Sequence, residues 1–214
     1  MNRIQADKQL DGLEHPAPPF AEGKEVLCYA DQGTFMGLRA LGRQPITHFN
    51  WVFPHSLDEA VVEQFNERLA QGFLGRLLQR SPLPWGRHRW VANLVPAPVT
   101  WFRDPIPPEA LPKWRSSLTD LSVDPEYGPG WRLVVQSLSD GGTALSLLIS
   151  HTLADGTAAI QAISAAVADR KVMPGFPAAS PRWTLDRLVR DSVESIRALP
   201  DVWRALKTML RANG

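Results

Sequence analysis

The alternation of apolar and polar residues predicts an α/β protein, and its clearest element is a β-hairpin. Two apolar runs, Trp131–Leu138 and Thr143–Ser150, flank an Asp-Gly-Gly turn, which is typical of two antiparallel strands. The run Ile46–Phe53 predicts a further strand, and residues 87–95 predict another. After the hairpin, apolar residues recur at helical spacing over residues 157–168 and predict a buried face. That face comprises Ala158, Ile160, Ile163 and Val167.

Two more helices are predicted before the hairpin. Ser56 and Glu59 have the spacing of a capping box, with Ser56 as the N-cap, and Gly72 is a plausible stop. The apolar face of this helix comprises Val61, Val62, Phe65 and Leu69. Residues 108–121 predict the second helix, with Trp114 and Leu118 packing inward.

The C-terminal part predicts a linker followed by an amphipathic helical segment. Residues 173–183 are rich in Pro, Ala and Gly, and residues 184–214 carry apolar side chains at helical spacing. Pro200 predicts either two helices or one kinked helix, because proline removes a helical amide and crowds the preceding turn. The basic face comprises Arg197, Arg204, Lys207 and Arg211. Trp203, Leu206 and Leu210 suit a lipid surface, although packing against a second lobe or partner is the favoured interpretation.

A chain of 214 residues is one large domain or two small ones. The elements above are expected to form an α/β domain over residues 26–172, preceded by a loosely ordered segment, residues 1–25. The apolar fraction of 44% is ordinary for a globular protein, and a net charge of +1 argues against a nucleic-acid partner. The single cysteine, Cys28, excludes an intrachain disulfide, fits a cytoplasmic location and is expected to be buried. Residues 1–25 lack the apolar core of a signal peptide, and no run is long enough to span a membrane.

The candidate chemistry lies directly after the hairpin, in His151-Thr-Leu-Ala-Asp155-Gly156. A strand end followed by a turn is a rigid place for a general-base histidine. Asp155 either orients the imidazole or braces the turn, and Gly156 is expected to let the chain turn where a side chain would clash.

Other polar candidates rank lower. His88 is expected to be structural or at the surface. The cluster of Arg76, Arg80, Arg87 and Arg89 suits the phosphates of a CoA-type donor, but a solvated face is favoured. His48 and His55 lack the spacing of a metal site, so no metal and no bound cofactor are predicted.

The His-x-x-x-Asp-Gly motif after a hairpin strand resembles the signature of the chloramphenicol acetyltransferase-like acyltransferases. Two stretches, residues 72–91 and 121–133, are similar to the bacterial wax ester synthase/diacylglycerol acyltransferase group within that superfamily. The resemblance covers about residues 40–170. It implies one lobe of an α+β two-layer sandwich, with His151 as the general base and Asp155 in a structural role, usually paired with an arginine.

Two features depart from the family pattern. Ser150 stands where many members carry a first histidine directly before the catalytic one. The chain also has half the usual length, and no second-lobe motif is recognisable. Two explanations stay open: the chain is a fragment or truncated gene product, or a second lobe, from another chain of the family or from a homo-oligomer, completes the fold.

The activity implied by the resemblance is acyl-CoA-dependent transfer to a long-chain alcohol or a diacylglycerol, with acyl-CoA as the co-substrate. Two alternatives stay open. One is a non-catalytic lobe that binds lipid or assembles with a second chain. The other is a condensation-type synthase that acts on carrier-bound acyl groups. A cytoplasmic protein, with or without peripheral membrane contact, fits each of them.

Overall fold

The protein is described here from a computed structural model, which covers residues 25–42, 44–170, 175–181 and 184–212. The predicted N-terminal segment lies outside these residues except for Glu25. Five helices and six strands are assigned in the described part. The helices are α1 (Tyr29–Ala40), α2 (Glu59–Ala70), α3 (Leu111–Ser117), α4 (Gly156–Val167) and α5 (Leu185–Ala212). The strands are β1 (Ile46–Phe53), β2 (Arg76–Gln79), β3 (Arg89–Ala92), β4 (Thr100–Ile106), β5 (Trp131–Leu138) and β6 (Thr143–Ser150).

A mixed four-stranded sheet forms the centre of the lobe, in the order β1-β6-β5-β4. The predicted hairpin is confirmed, because β5 and β6 pair antiparallel from Trp131–Ile149 to Ser137–Thr143. The edge strand β1 also pairs antiparallel with β6, whereas β4 pairs parallel with β5. Strands β2 and β3 form a separate antiparallel pair. The α/β fold class predicted from the pattern is therefore confirmed.

Helices cover both faces of the sheet, and each face has its own apolar core. On one face, α2 and α4 pack over Leu133, Leu147 and Ile149. On the other face, α3 and the 3-10 turn that follows it, Leu118–Asp120, pack over Val134 and Leu148. Trp114 and Leu118 are buried there as predicted, although residues 108–121 form three short helical pieces instead of one helix.

The start of α2 differs from the predicted capping box. The N-cap is Asp58, whose carboxylate accepts a hydrogen bond from the amide of Ala60 at 2.8 Å. Ser56 stays outside the helix. The intervening Leu57 donates its amide to Thr143 Oγ1 at 3.2 Å, which keeps this stretch extended against β6 until Asp58 can cap the helix.

The predicted buried faces of α2 and α4 also need correction. Val61 is 59% exposed, and Ile160 and Val167 are 57% and 69% exposed. The buried face of α4 consists of small residues, Ala159, Ala162, Ala165 and Ala166. Because α4 packs against α2 above the sheet, alanines allow the close approach that larger side chains would prevent. The helical periodicity predicted from the sequence is correct. The larger apolar residues that the prediction placed on the buried faces, Val61, Ile160 and Val167, are exposed.

The C-terminal segment forms the single helix α5, with Pro200 inside it, so two separate helices are not seen. Its inward face is anchored by Asp191, which is 2% exposed. Asp191 accepts hydrogen bonds from Arg89 Nη2 at 2.6 Å and from the Ser81 hydroxyl. The described part of the predicted linker, residues 175–181, also contacts the lobe, where the Pro177 carbonyl accepts the amide of Ala92 at 2.8 Å.

Candidate active site

His151 lies on a turn that is held at several points between β6 and α4. Its amide donates to the Pro45 carbonyl at 2.9 Å, which ties the turn to the start of β1. The Ser150 carbonyl accepts the amides of Leu153 and Ala154 at 2.8 and 3.2 Å. The side chains of Leu153 and Ala154 are buried in the main core, whereas the imidazole of His151 is exposed. The turn therefore fixes the backbone and presents the imidazole outward.

Arg76 supports this turn from below. Its Nη2 donates to the Leu153 carbonyl at 2.5 Å, and the residue is only 7% exposed. The guanidinium lies 4.0 Å from the ring centroids of both Phe73 and Trp90. Burial lowers the pKa of Arg76 to about 9, which marks the cost of placing this cation in a largely apolar wall.

The prediction of a solvated arginine face is wrong for Arg76, which is buried, whereas the other three arginines are half-buried and paired. Arg80 pairs with Glu126 at 2.8 Å, Arg89 pairs with Asp191, and Arg87 donates to the Leu27 carbonyl at 2.8 Å. Arg76 could have been singled out from the pattern of β2. Alternate residues of a strand share a face, and Arg76 has the same parity as the buried Leu78.

Asp155 braces the turn as the N-cap of α4. Its carboxylate accepts the amide of Ala158 at 2.7 Å. No arginine forms an ion pair with it among the residues that the structure describes, so the arginine pairing implied by the resemblance is not seen there. The negative charge also suits the positive end of the helix dipole.

Gly156 begins α4, and the reason expected for a glycine there is wrong. A Cβ built at Gly156 would meet no atom within 4 Å, and its φ is not in the left-handed region. The lobe itself therefore has space for a side chain. Ser150, in the position of the missing first histidine, is 3% exposed, and its amide donates to the Gly130 carbonyl at 3.0 Å.

The His151 turn forms one wall of a cleft of about 570 Å³. The cleft is also lined by Cys28, Asp31 and Leu38, from α1 and the residue before it, and by Phe73, Arg76 and Trp90. Cys28 is exposed, contrary to prediction, and its Sγ accepts the Asp31 amide at 3.3 Å as the N-cap of α1. The cleft therefore combines an exposed imidazole with apolar and aromatic walls.

Two further histidines, His88 and His48, lie in structural surroundings. His88 is 4% exposed, and its ring meets Phe35 edge-on at 6.1 Å, as the structural interpretation predicted. His48 lies on β1, with Nε2 2.8 Å from Ser146 Oγ, and burial followed by the charge of Arg115 lowers its pKa. In the described ranges no three His, Cys, Asp or Glu side chains gather as metal ligands would.

Solved structures with a similar fold include condensation domains of peptide synthetases and a nonribosomal peptide synthetase. The starter condensation domain of the rhizomide synthetase RzmA superposes with a TM-score of 0.55 at 12% identity, over 79% of this chain and 45% of that chain. The first condensation domain of the CDA synthetase gives 0.54 at 13% identity, over 70% and 41%. The nonribosomal peptide synthetase FmoA3 gives 0.50 at 22% identity, over 79% and 18%.

These similarities place the chain in the fold class of one chloramphenicol acetyltransferase-like lobe, as the motif implied. The chain spans less than half the length of the condensation-domain structures that it matches. No family model matches the sequence, and no curated protein matches it. No comparison singles out the wax ester synthase group.

Proposed function

We propose that this chain is the histidine-bearing lobe of an acyltransferase of the condensation type. In this reaction an acceptor amine or hydroxyl attacks the carbonyl of an acyl thioester. The observation that carries the proposal is the exposed imidazole of His151, held on a rigid turn at the edge of a cleft of about 570 Å³.

The proposed chemistry assigns one task to each part of the turn. His151 takes the proton from the acceptor as the new C–N or C–O bond forms. The C–S bond then breaks, and the proton passes to the departing thiolate. Base catalysis of this kind contributes about 10² to 10⁴ in rate. Asp155 and Arg76 are positioning residues, because they hold the backbone on which His151 is mounted.

The choice of donor rests on two different kinds of support. Similarity in fold to condensation domains favours a thioester on a carrier protein. The sequence resemblance to wax ester synthases favours acyl-CoA, with a long-chain alcohol or diacylglycerol as acceptor. We place the carrier-bound donor first because the structural similarity extends over 70–80% of the chain, and we retain acyl-CoA as the second candidate.

A second lobe is part of this proposal. The cleft has walls only from the described lobe, and the matched condensation-domain structures are more than twice as long as the part that this chain covers. A second chain of the same fold, or a second copy of this one, would supply the missing wall. Without it, the chain would act as a binding or assembly lobe, which is the other function considered.

The experiment is a thiol-release assay with two donors, an acyl group on a carrier protein and palmitoyl-CoA. Each donor is offered with an amine and with a long-chain alcohol, in the presence and absence of any second-lobe protein. The matched control is His55→Ala, which removes an exposed histidine from the bend after β1 and not from the cleft. Transfer that His151→Ala abolishes and His55→Ala preserves would support the proposal. Transfer unaffected by His151→Ala would refute it, and no transfer with any donor would favour the binding lobe.

A further inference from the structure

Arg76 places a buried positive charge in the wall of the cleft. The residue is only 7% exposed, yet it lines the cleft that His151 borders. Its guanidinium carbon lies over the rings of Phe73 and Trp90, 4.0 Å from each ring centroid. The π faces of these rings attract a cation but carry no net negative charge. The charge of Arg76 is therefore only partly offset by its aromatic neighbours.

No carboxylate in the described part of the chain pairs with Arg76. Asp31 and Asp155, the acidic residues that line the same cleft, are exposed and form no ion pair with it. The hydrogen bond that Arg76 donates goes to a neutral acceptor, the Leu153 carbonyl, and its buried Nε has no acceptor among the described residues. A buried cation is costly without an opposite charge, so this position favours an anionic ligand.

The surroundings of Arg76 favour a carboxylate over a phosphate as that anion. A guanidinium presents its N–H donors in a planar fork, which matches the two oxygens of a carboxylate. The cost of desolvation is larger for a phosphate dianion than for a single negative charge, and the neighbouring rings supply no water. Asp31 and Asp155 in the same cleft also oppose a second negative charge. A monocarboxylate therefore fits this wall best.

We propose that Arg76 binds the carboxylate group of a substrate in the cleft. Leu153, which accepts the hydrogen bond from Arg76, comes two residues after His151, so the Cα atoms of Leu153 and His151 are at most about 7 Å apart. A carboxylate at Arg76 thus lies in the same part of the cleft as the imidazole. It belongs either to the acceptor, as in a free amino acid or hydroxy acid, or to the acyl chain of the donor. The naming of a substrate rests on the proposed acyltransferase function, whereas binding is measured without transfer.

Binding is tested first on the parent chain, with Cys28 as the reporter. Cys28 is the only cysteine of the chain, and it is exposed in the same cleft. A ligand in the cleft should therefore slow its alkylation by iodoacetamide. Octanoate should slow this reaction and raise the thermal midpoint, whereas octanamide, its uncharged counterpart, should do neither at the same concentration. This comparison requires no substitution at Arg76.

Arg76→Gln tests the residue itself, because it removes the charge and keeps an amide donor. The affinity for octanoate should fall at least about tenfold through loss of charge-assisted hydrogen bonds. The matched control is Arg80→Gln, which removes an arginine that pairs with Glu126 and does not line the cleft, and it should bind octanoate like the parent chain. Thermal melts verify that each variant is folded. Should Arg76→Gln fail to fold, Arg76→Lys keeps the charge without the planar fork and should still weaken binding.

Two substrate pairs identify which substrate carries the carboxylate. Leucine compared with leucinamide tests the acceptor, and an adipoyl thioester compared with a hexanoyl thioester tests the donor, both by thiol release. The pair that corresponds to the natural source should show a preference for the carboxylate of at least about tenfold over the same ratio in Arg76→Gln.

Three results would overturn the proposal. The first is octanoate that has no effect, or the same effect as octanamide, because the cleft would then not select the charge. The second is octanoate binding that Arg76→Gln leaves unchanged, since another group would then hold the carboxylate. The third is transfer with no carboxylate preference in either pair, which would leave the acyltransferase function in place. Carboxylate binding through Arg76 without any transfer would instead support this inference and contradict the acyltransferase function.

Discussion

Gly156→Ala tests separately whether the fold requires glycine at this position and whether the reaction does. A Cβ at Gly156 meets no atom within 4 Å, and the residue begins α4 without a positive φ. Alanine is therefore sterically acceptable in this lobe and restricts the unfolded chain more than glycine does. We expect the free energy of unfolding to rise by about 0.4–1 kcal/mol, which raises the thermal midpoint by about 1–4 °C.

The same substitution should lower the transfer rate if the space at Gly156 is used by the acceptor. The methyl group would then stand where substrate or a second lobe approaches, and we expect at least about a tenfold loss, equivalent to about 1.4 kcal/mol. The assay is thiol release, measured beside a thermal melt. Gly37→Ala is the matched control, because Gly37 also lies in a helix, α1, with nothing within 4 Å of a Cβ.

Two outcomes would refute this reasoning, each at a different point. A lower thermal midpoint for Gly156→Ala would mean that the fold itself requires glycine there. A raised midpoint with unchanged transfer would mean that the open space has no role in the reaction. Gly75→Ala is the reference for a glycine that the fold requires. Its Cβ would collide with the Ala70 carbonyl, so this substitution should destabilise the lobe strongly.

Substitutions at four further positions test the turn, its supports and the docking of α5. His151→Ala should reduce transfer by about 10² to 10⁴ with a change in stability within about 0.5 kcal/mol, because the side chain is exposed; thiol release and a thermal melt measure both. Asp155→Ala should cost about 1 kcal/mol through loss of the N-cap and should also lower transfer, whereas Asp155→Asn should retain the cap. Arg76→Lys should cost about 2 kcal/mol and slow transfer, because an ammonium cannot reproduce the stacked, hydrogen-bonded guanidinium. Asp191→Ala should cost about 3 kcal/mol because it removes the buried carboxylate that pairs with Arg89, and hydrogen exchange of the α5 amides should report it.

The outcomes that would contradict these expectations differ. If Asp155→Ala loses activity at an unchanged thermal midpoint, Asp155 takes part in the reaction and does not act only by capping α4. Full activity in Arg76→Lys, at a lowered midpoint, would show that the Leu153 anchor is not needed for catalysis. Unchanged exchange of α5 in Asp191→Ala would mean that other contacts dock the helix.

Local patterns in the sequence were sufficient for most of the central sheet. Strands β1, β5 and β6 lie at the predicted bounds, because apolar runs and an Asp-Gly-Gly turn are local signals. The position of His151 at the end of β6 follows from the same hairpin. The edge strand β4 was not predicted. It pairs parallel with β5, and a parallel pairing leaves no turn signal in the sequence.

The chemical motif, the strand that carries it and the helical periodicity after it were therefore determined by the sequence alone. Only the tertiary structure decided which side chains face inward, because burial depends on what packs opposite them. In the tertiary structure α4 buries its alanines, and Cys28 is exposed as the N-cap of α1. Arg76 is enclosed between Phe73 and Trp90. Those contacts join residues distant in sequence, such as Arg76 and Leu153, and no local pattern encodes them.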